Sequence, residues 1–213
     1  GHEKKMLPIN YLPNLQVISI ETLMGENKDA ATIWRGPLKI GAIRQFISDI
    51  DWMELDYLVI DSPPGTGDEP LTVAQTIPDA RALIVTTPQE VSLADVRKSI
   101  NFCRQVNMEI LGLVENMSWF TPEELPENKY YIFGKDGAKH LAEDLGTELL
   151  GEIPLVQSIR EAGDVGHPVA LQEDSPLEKA FTEAAKNMLT QLVKRNEELP
   201  PTEIVRITTM SGC

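Results

Sequence analysis

The sequence predicts an α/β fold, a mostly parallel, doubly wound sheet flanked by helices. Two observations lead there. Apolar runs ending in small or polar residues recur along the chain, and each is followed by a stretch with helical spacing. The runs are nearly continuous rather than alternating, the pattern of parallel strands covered on both faces. Strand–helix alternation of this kind implies right-handed crossovers. In such sheets ligands sit beyond the carboxyl ends of the strands.

Residues 15–20 read as the first strand. Further strands are expected over 57–61, 82–87 and 110–114, with a shorter one over 148–153. Residues 37–50 place Ile40, Ile43, Phe46, Ile47 and Ile50 on one helical stripe, and Pro37 suits a first-turn position. Residues 92–106 carry Leu93, Val96, Ile100 and Cys103 at three- and four-residue spacing, with Ser92 as N-cap and Asp95 three residues on. Helices are also expected over 135–145 and 176–195. The 213 residues are expected to form one domain over 1–196, followed by a Pro-containing linker and tail over 197–213.

Charge and cysteine content narrow the function classes. Thirty-three acidic against 19 basic residues leave a formal net charge of -14. Such a field repels phosphate backbones and anionic lipid, so neither nucleic acid nor a membrane is expected as a partner. No apolar run approaches the ~18 residues of a membrane span. The two cysteines, Cys103 and Cys213, lack metal-ligand spacing and suggest no disulfide framework. The expected compartment is the cytoplasm.

The densest chemical signal follows the second run. Tyr57-Leu58-Val59-Ile60 leads into Asp61-Ser62-Pro63-Pro64-Gly65-Thr66-Gly67-Asp68. Four apolar residues running into an aspartate form a Walker-B pattern, which delivers a carboxylate to the sheet edge where it can hold Mg²⁺ through water. Pro63 and Pro64 stop a strand or helix, while Gly65 and Gly67 open backbone geometries closed to other residues. A loop so built can aim amides at a γ-phosphate and shift when it leaves. The run and first aspartate alone fit a capping turn equally well; the whole string is far more specific.

That string resembles the DxPPGTGD signature of Mrp-type proteins, ATP-dependent iron–sulfur cluster carriers among the MinD/ParA-like P-loop NTPases. Other segments agree in order: Trp34-Arg35-Gly36-Pro37, Trp52 to Tyr57, Thr86-Thr87-Pro88-Gln89, Val114-Glu115-Asn116-Met117-Ser118, Tyr131-Ile132-Phe133-Gly134 and Leu150-Gly151-Glu152-Ile153-Pro154. The resemblance runs from about residue 15 to 169. It implies that Asp61 holds the Mg²⁺ shell, with Asp61 and Asp68 as catalytic carboxylates. Arg35, Gly36, Pro63, Pro64, Gly65, Thr66 and Gly67 would face the phosphates. Asn116 follows a strand and would read adenine, with Pro154 lining the base region just past the last strand. ATP, Mg²⁺ and an iron–sulfur cluster are the implied cofactors, and a homodimer serving apo iron–sulfur proteins the implied assembly. A MinD/ParA-like switch that recruits partners, or a non-catalytic interaction fragment, are the alternatives.

Two departures limit this expectation. No Gly-Lys-Ser/Thr occurs in the chain, so the KGGVGKS/T loop, with its strand–helix unit, has no counterpart and the sequence reads as truncated at its N-terminus. ATP hydrolysis is then a property of the complete domain. The stretch 118–128 also lacks the CxxC pair of many family members. Cys103 reads as a buried structural thiol, and Cys213 as either an inert terminal cysteine or, if a cluster is held, one ligand per subunit.

Overall fold

The computed structural model describes residues 6–23, 36–122 and 124–198, and divides the chain into two compact units, 1–77 and 78–213. In the first unit, β1 (Ile9–Leu12) and β2 (Leu15–Val17) form an antiparallel hairpin. The strand expected over 15–20 is therefore short and antiparallel, and Ile20 already belongs to the helical turn α1 (Ile20–Leu23). The Pro13-Asn14 turn directs the chain back on itself, which a parallel strand cannot do. Helix α2 (Gly36–Ser48) begins one residue before Pro37 and turns Ile40, Ile43, Phe46 and Ile47 inward. Trp52 Nε1 donates to the Phe46 carbonyl at 2.8 Å and ties the following segment to it.

Residues 57–61 are a correction. They carry no strand, and Val59 is 85% exposed. A run apolar on both faces is stable as a strand only between paired neighbours, and it has none among the described residues. Its successor loop ends in α3 (Asp68–Thr76), a helix the spacing did not predict.

The second unit holds a three-stranded parallel sheet in the order β3 (Ala82–Thr86), β4 (Ile110–Phe120), β5 (Leu149–Leu155). Helix α4 (Glu90–Gln105) crosses from β3 to β4, and α5 (Gly137–Leu145) from β4 to β5. Ile84, Leu93, Ile100, Cys103, Leu113, Ala138, Leu141 and Ala142 form the core between this helix pair and the sheet. The α4 stripe therefore lies where its spacing places it. Its cap differs: the helix starts at Glu90 after Gln89, and Ser92 instead turns its hydroxyl to Thr86 Oγ1 at 3.0 Å, bracing the end of β3.

Gly151 is in register with Val114 and faces away from Glu115, and against it packs α7 (Pro176–Glu198). An added Cβ on Gly151 would stand 2.6 Å from the Ala184 Cβ, so a glycine here lets helix and strand meet closely. Helices thus cover both faces of β4, as expected for a doubly wound sheet. Over β3 the α7 face stays open: Leu83 and Val85 are exposed, so the two-sided cover predicted for every strand fails at this edge. Helix α6 (Gln157–Asp164) and the 3₁₀ turn Val169–Leu171 link β5 to α7.

Candidate functional site

The phosphate-side candidates gather in the first unit. Gly36 opens α2 and Asp68 opens α3, and Asp68 Oδ2 lies only 2.8 Å from where a Gly36 Cβ would be. Any larger residue at position 36 would push this carboxylate away. One turn on, Lys39 Nζ donates to Glu69 Oε1 at 2.8 Å. That bond holds the Glu69 carboxyl below its ordinary range. Asp68 and Glu69 both sit in the first turn of α3, where the helix dipole favours negative charge. The sequence stretches around Gly36 and Asp68, 32 residues apart, are thus brought into contact.

Between them, Asp61, Ser62, Pro63, Pro64, Gly65, Thr66 and Gly67 form an exposed irregular loop. Gly65 has φ 103°, a conformation that L side chains rarely adopt, and Gly67 at φ -78° serves as the N-cap residue of α3. Asp61 is therefore solvent-facing on a loop rather than at the tip of a buried strand. Arg35 and Cys213 lie outside the described residues.

The base-side candidates lie in the second unit. Asn116 does not follow β4 but lies within it, paired with Ile153; Pro154 is likewise inside β5 rather than beyond it. Pairing is interrupted after Asn116–Ile153 and resumes at Phe120–Leu155, so β4 runs on to Phe120. The structure brings Asn116 and Pro154 to adjacent positions of neighbouring strands. Asn116 Oδ1 accepts the Met117 N–H at 3.0 Å. Its Nδ2 has no protein partner among the described residues and remains available as a donor.

Sequence reasoning missed two neighbours of Asn116. Glu115 is 1% exposed, and its Oε2 accepts the Ala138 N–H at the start of α5 at 2.7 Å. Ser118, fully buried, donates to the Glu115 carbonyl at 2.9 Å. The available signal was a carboxylate inside an apolar run, which a strand interior tolerates only with a built partner. Across the ladder Glu115 meets Glu152. The Glu152 carboxyl is pushed above its ordinary range, first by desolvation and then by the Glu115 charge, with Lys129 and Lys139 opposing.

The stretch beyond Ser118 closes on itself. Phe120 and Tyr130 exchange both backbone hydrogen bonds at 2.8 Å, and Lys129 stacks over Trp119 with its Nζ 3.6 Å from the ring centroid. Among the described residues no three His, Cys, Asp or Glu side chains are arranged to hold a metal, and the cysteine there, Cys103, is buried.

Solved structures define the class. A nucleotide-binding protein from Archaeoglobus fulgidus in complex with ADP is 36% identical with a TM-score of 0.64, over 80% of this chain and 64% of that one. The cell division ATPase MinD of Pyrococcus furiosus shares the fold, with a TM-score of 0.53 at 24% identity over 72% of this chain and 58% of that one. The fold is that of MinD/ParA-like P-loop NTPases. Within it the chain belongs to the ParA-group family described as NUBPL iron-transfer P-loop NTPase, whose model matches residues 1–189. It is 48% identical over 186 residues to an iron–sulfur cluster carrier protein of Saccharolobus solfataricus, covering 86% of this chain and 62% of that protein. It is 42% identical over 204 residues to the iron–sulfur cluster transfer protein NUBPL of Dictyostelium discoideum, covering 93% and 63%. The chain thus spans less than two thirds of the length of these relatives.

Proposed function

We propose that this chain is the nucleotide-responsive part of an iron–sulfur cluster carrier, in which ATP binding and hydrolysis by the complete protein are coupled to transfer of the cluster to apo iron–sulfur proteins. The observation that carries the nucleotide reading is the convergence of Gly36 and Asp68. It joins two loops at the starts of two helices, where backbone amides favour anions. In the first unit, Gly36 and the Pro63–Gly67 loop contact phosphate, Asp61 holds Mg²⁺ through water, and Asp68 releases Gly36 as a γ-phosphate arrives. Arg35, next to Gly36 in the sequence, contributes positive charge to the phosphate contact in this reading. In the second unit, Asn116 reads adenine and Pro154 lines the base. Mg²⁺ supplies charge neutralisation on the phosphates; the residues named do the binding and sensing.

The donor set fits binding better than turnover. Lys39, one turn past Gly36, is engaged by Glu69, and the sequence contains no Gly-Lys-Ser/Thr. Our expectation is that the chain by itself binds ATP without hydrolysing it. Phosphate-release assays check this; turnover abolished by Asp61→Ala would overturn it.

The cluster is cargo, and its ligand in this reading is Cys213 from each subunit of a homodimer in the cytoplasm. Anaerobic reconstitution with iron and sulfide, with and without Cys213→Ser, tests the carrier role. Cluster absorbance lost in the variant supports it, and sedimentation of the loaded protein tests the dimer. Absence of cluster in both proteins favours a MinD/ParA-like switch that recruits partners.

A further inference from the structure

We propose that Glu115 and Ser118 are positioning residues that lock the turn of β4 presenting Asn116, and thereby set the discrimination between adenine and guanine nucleotides. The inference rests on the reading of Asn116 as the base contact and goes beyond it.

The lock has three parts. Register between β4 and β5 ends at Asn116–Ile153 and resumes at Phe120–Leu155, so Met117, Ser118 and Trp119 face the single residue Pro154. Proline has no N–H to give the ladder, which is where a strand can bulge without losing a bond. Met117 takes φ 58° at this bulge. On one side of it, the Glu115 side chain reaches into the first turn of α5. The N-cap residue of that helix, Asp136, makes no side-chain cap, so the carboxylate from β4 satisfies the Ala138 amide instead. On the other side, the buried Ser118 hydroxyl holds the Glu115 carbonyl. The backbone from 115 to 118 is pinned at both ends.

What the lock controls is the face of one carboxamide. Met117 N–H donates to Asn116 Oδ1. The oxygen keeps a second lone pair for an exocyclic N–H, and Nδ2 donates to a ring nitrogen: that is the adenine pattern. Guanine presents the reverse, a carbonyl beside a ring N–H. To suit guanine the amide must turn over, which sets its NH₂ against the Met117 N–H, donor facing donor. The discrimination therefore depends on where Met117 N–H points, and that is fixed by Glu115 and Ser118.

Competition of ATP and of GTP against a fluorescent adenine nucleotide, with Mg²⁺ present, reads the effect. Ser118→Ala and Glu115→Ala are expected to lower the ATP-over-GTP preference by about tenfold. Glu115→Gln, whose amide oxygen can still accept the Ala138 N–H, is expected to retain it. A merely structural role would weaken both nucleotides together, and that outcome, or an unchanged preference in Ser118→Ala, would overturn the proposal. The lock is also read without nucleotide, from the Asn116 side-chain NH₂ resonances. One sharp pair in the parent protein, broadened or doubled in Ser118→Ala, supports it; identical spectra reject it. Failure of the parent protein to bind either nucleotide, with the NH₂ pair still responding to Ser118→Ala, would sink the base-contact reading and the selectivity claim, not the lock.

Discussion

Two residues show how burial and charge decide behaviour in this chain. Cys103 lies in the core between α4 and the sheet, and burial pushes its thiol up from the ordinary value of 9.0. Thiolate is the reactive form, so Cys103 is doubly protected. In a Cys213→Ser background, Ellman's reagent is expected to react only as fast as the protein unfolds; rapid stoichiometric reaction of the native chain would contradict this. Glu152 makes the opposite kind of prediction. Its raised carboxyl means that the folded chain holds this proton more tightly than the unfolded chain does. Between the ordinary value near 4.5 and the raised one, stability therefore falls as pH rises. Glu152→Gln removes the like charge opposite Glu115 and is expected to stabilise the protein at pH 7 by roughly 0.5 kcal/mol. The gain should vanish as the pH drops below that ordinary value, which melting curves of both proteins across pH would reveal.

At the scale of elements, the contact of α7 with β5 depends on two small side chains. Gly151 and Ala184 meet at a distance no added atom would tolerate, and Asn187 Nδ2 donates to the Leu150 carbonyl at 2.9 Å beside them. Ala184→Leu forces helix and strand apart and is expected to cost about 2 kcal/mol, seen as a lower midpoint in urea denaturation. A parent-like midpoint would show that α7 has room to move. A similar close approach joins loop to loop. A Cβ on Gly137 would stand 2.5 Å from the Pro88 carbonyl oxygen, so the turn after β3 rests on the start of α5. Through Glu115, Ala138 and Pro88, the ends of β3, β4 and α5 form one contiguous piece of the second unit.

For the whole molecule, the two units differ in how much of their apolar sequence is covered. The second has a continuous core; in the first, Tyr57, Leu58, Val59 and Ile60 all stand exposed. Backbone amides over 57–61 should exchange with solvent within seconds, while those of Leu113 and Val114 survive for hours, as native-state hydrogen exchange would measure. Chymotrypsin should accordingly cut first near Tyr57; first cleavage within β4 would reverse the order of stability. The sequence alone sufficed for the α/β class, the helices α2, α4, α5 and α7, the apolar stripes of α2 and α4, and the family, because periodicity and the Asp61–Asp68 string are local properties of the chain. Tertiary structure was needed for the rest. A strand depends on neighbours that periodicity cannot supply, which is why 57–61 stayed unpaired, 15–17 turned antiparallel, and β4 ran on through Asn116. The contact of Asp68 with Gly36 and the burial of Glu115 under α5 bring together residues distant in sequence, and only the folded backbone sets those distances.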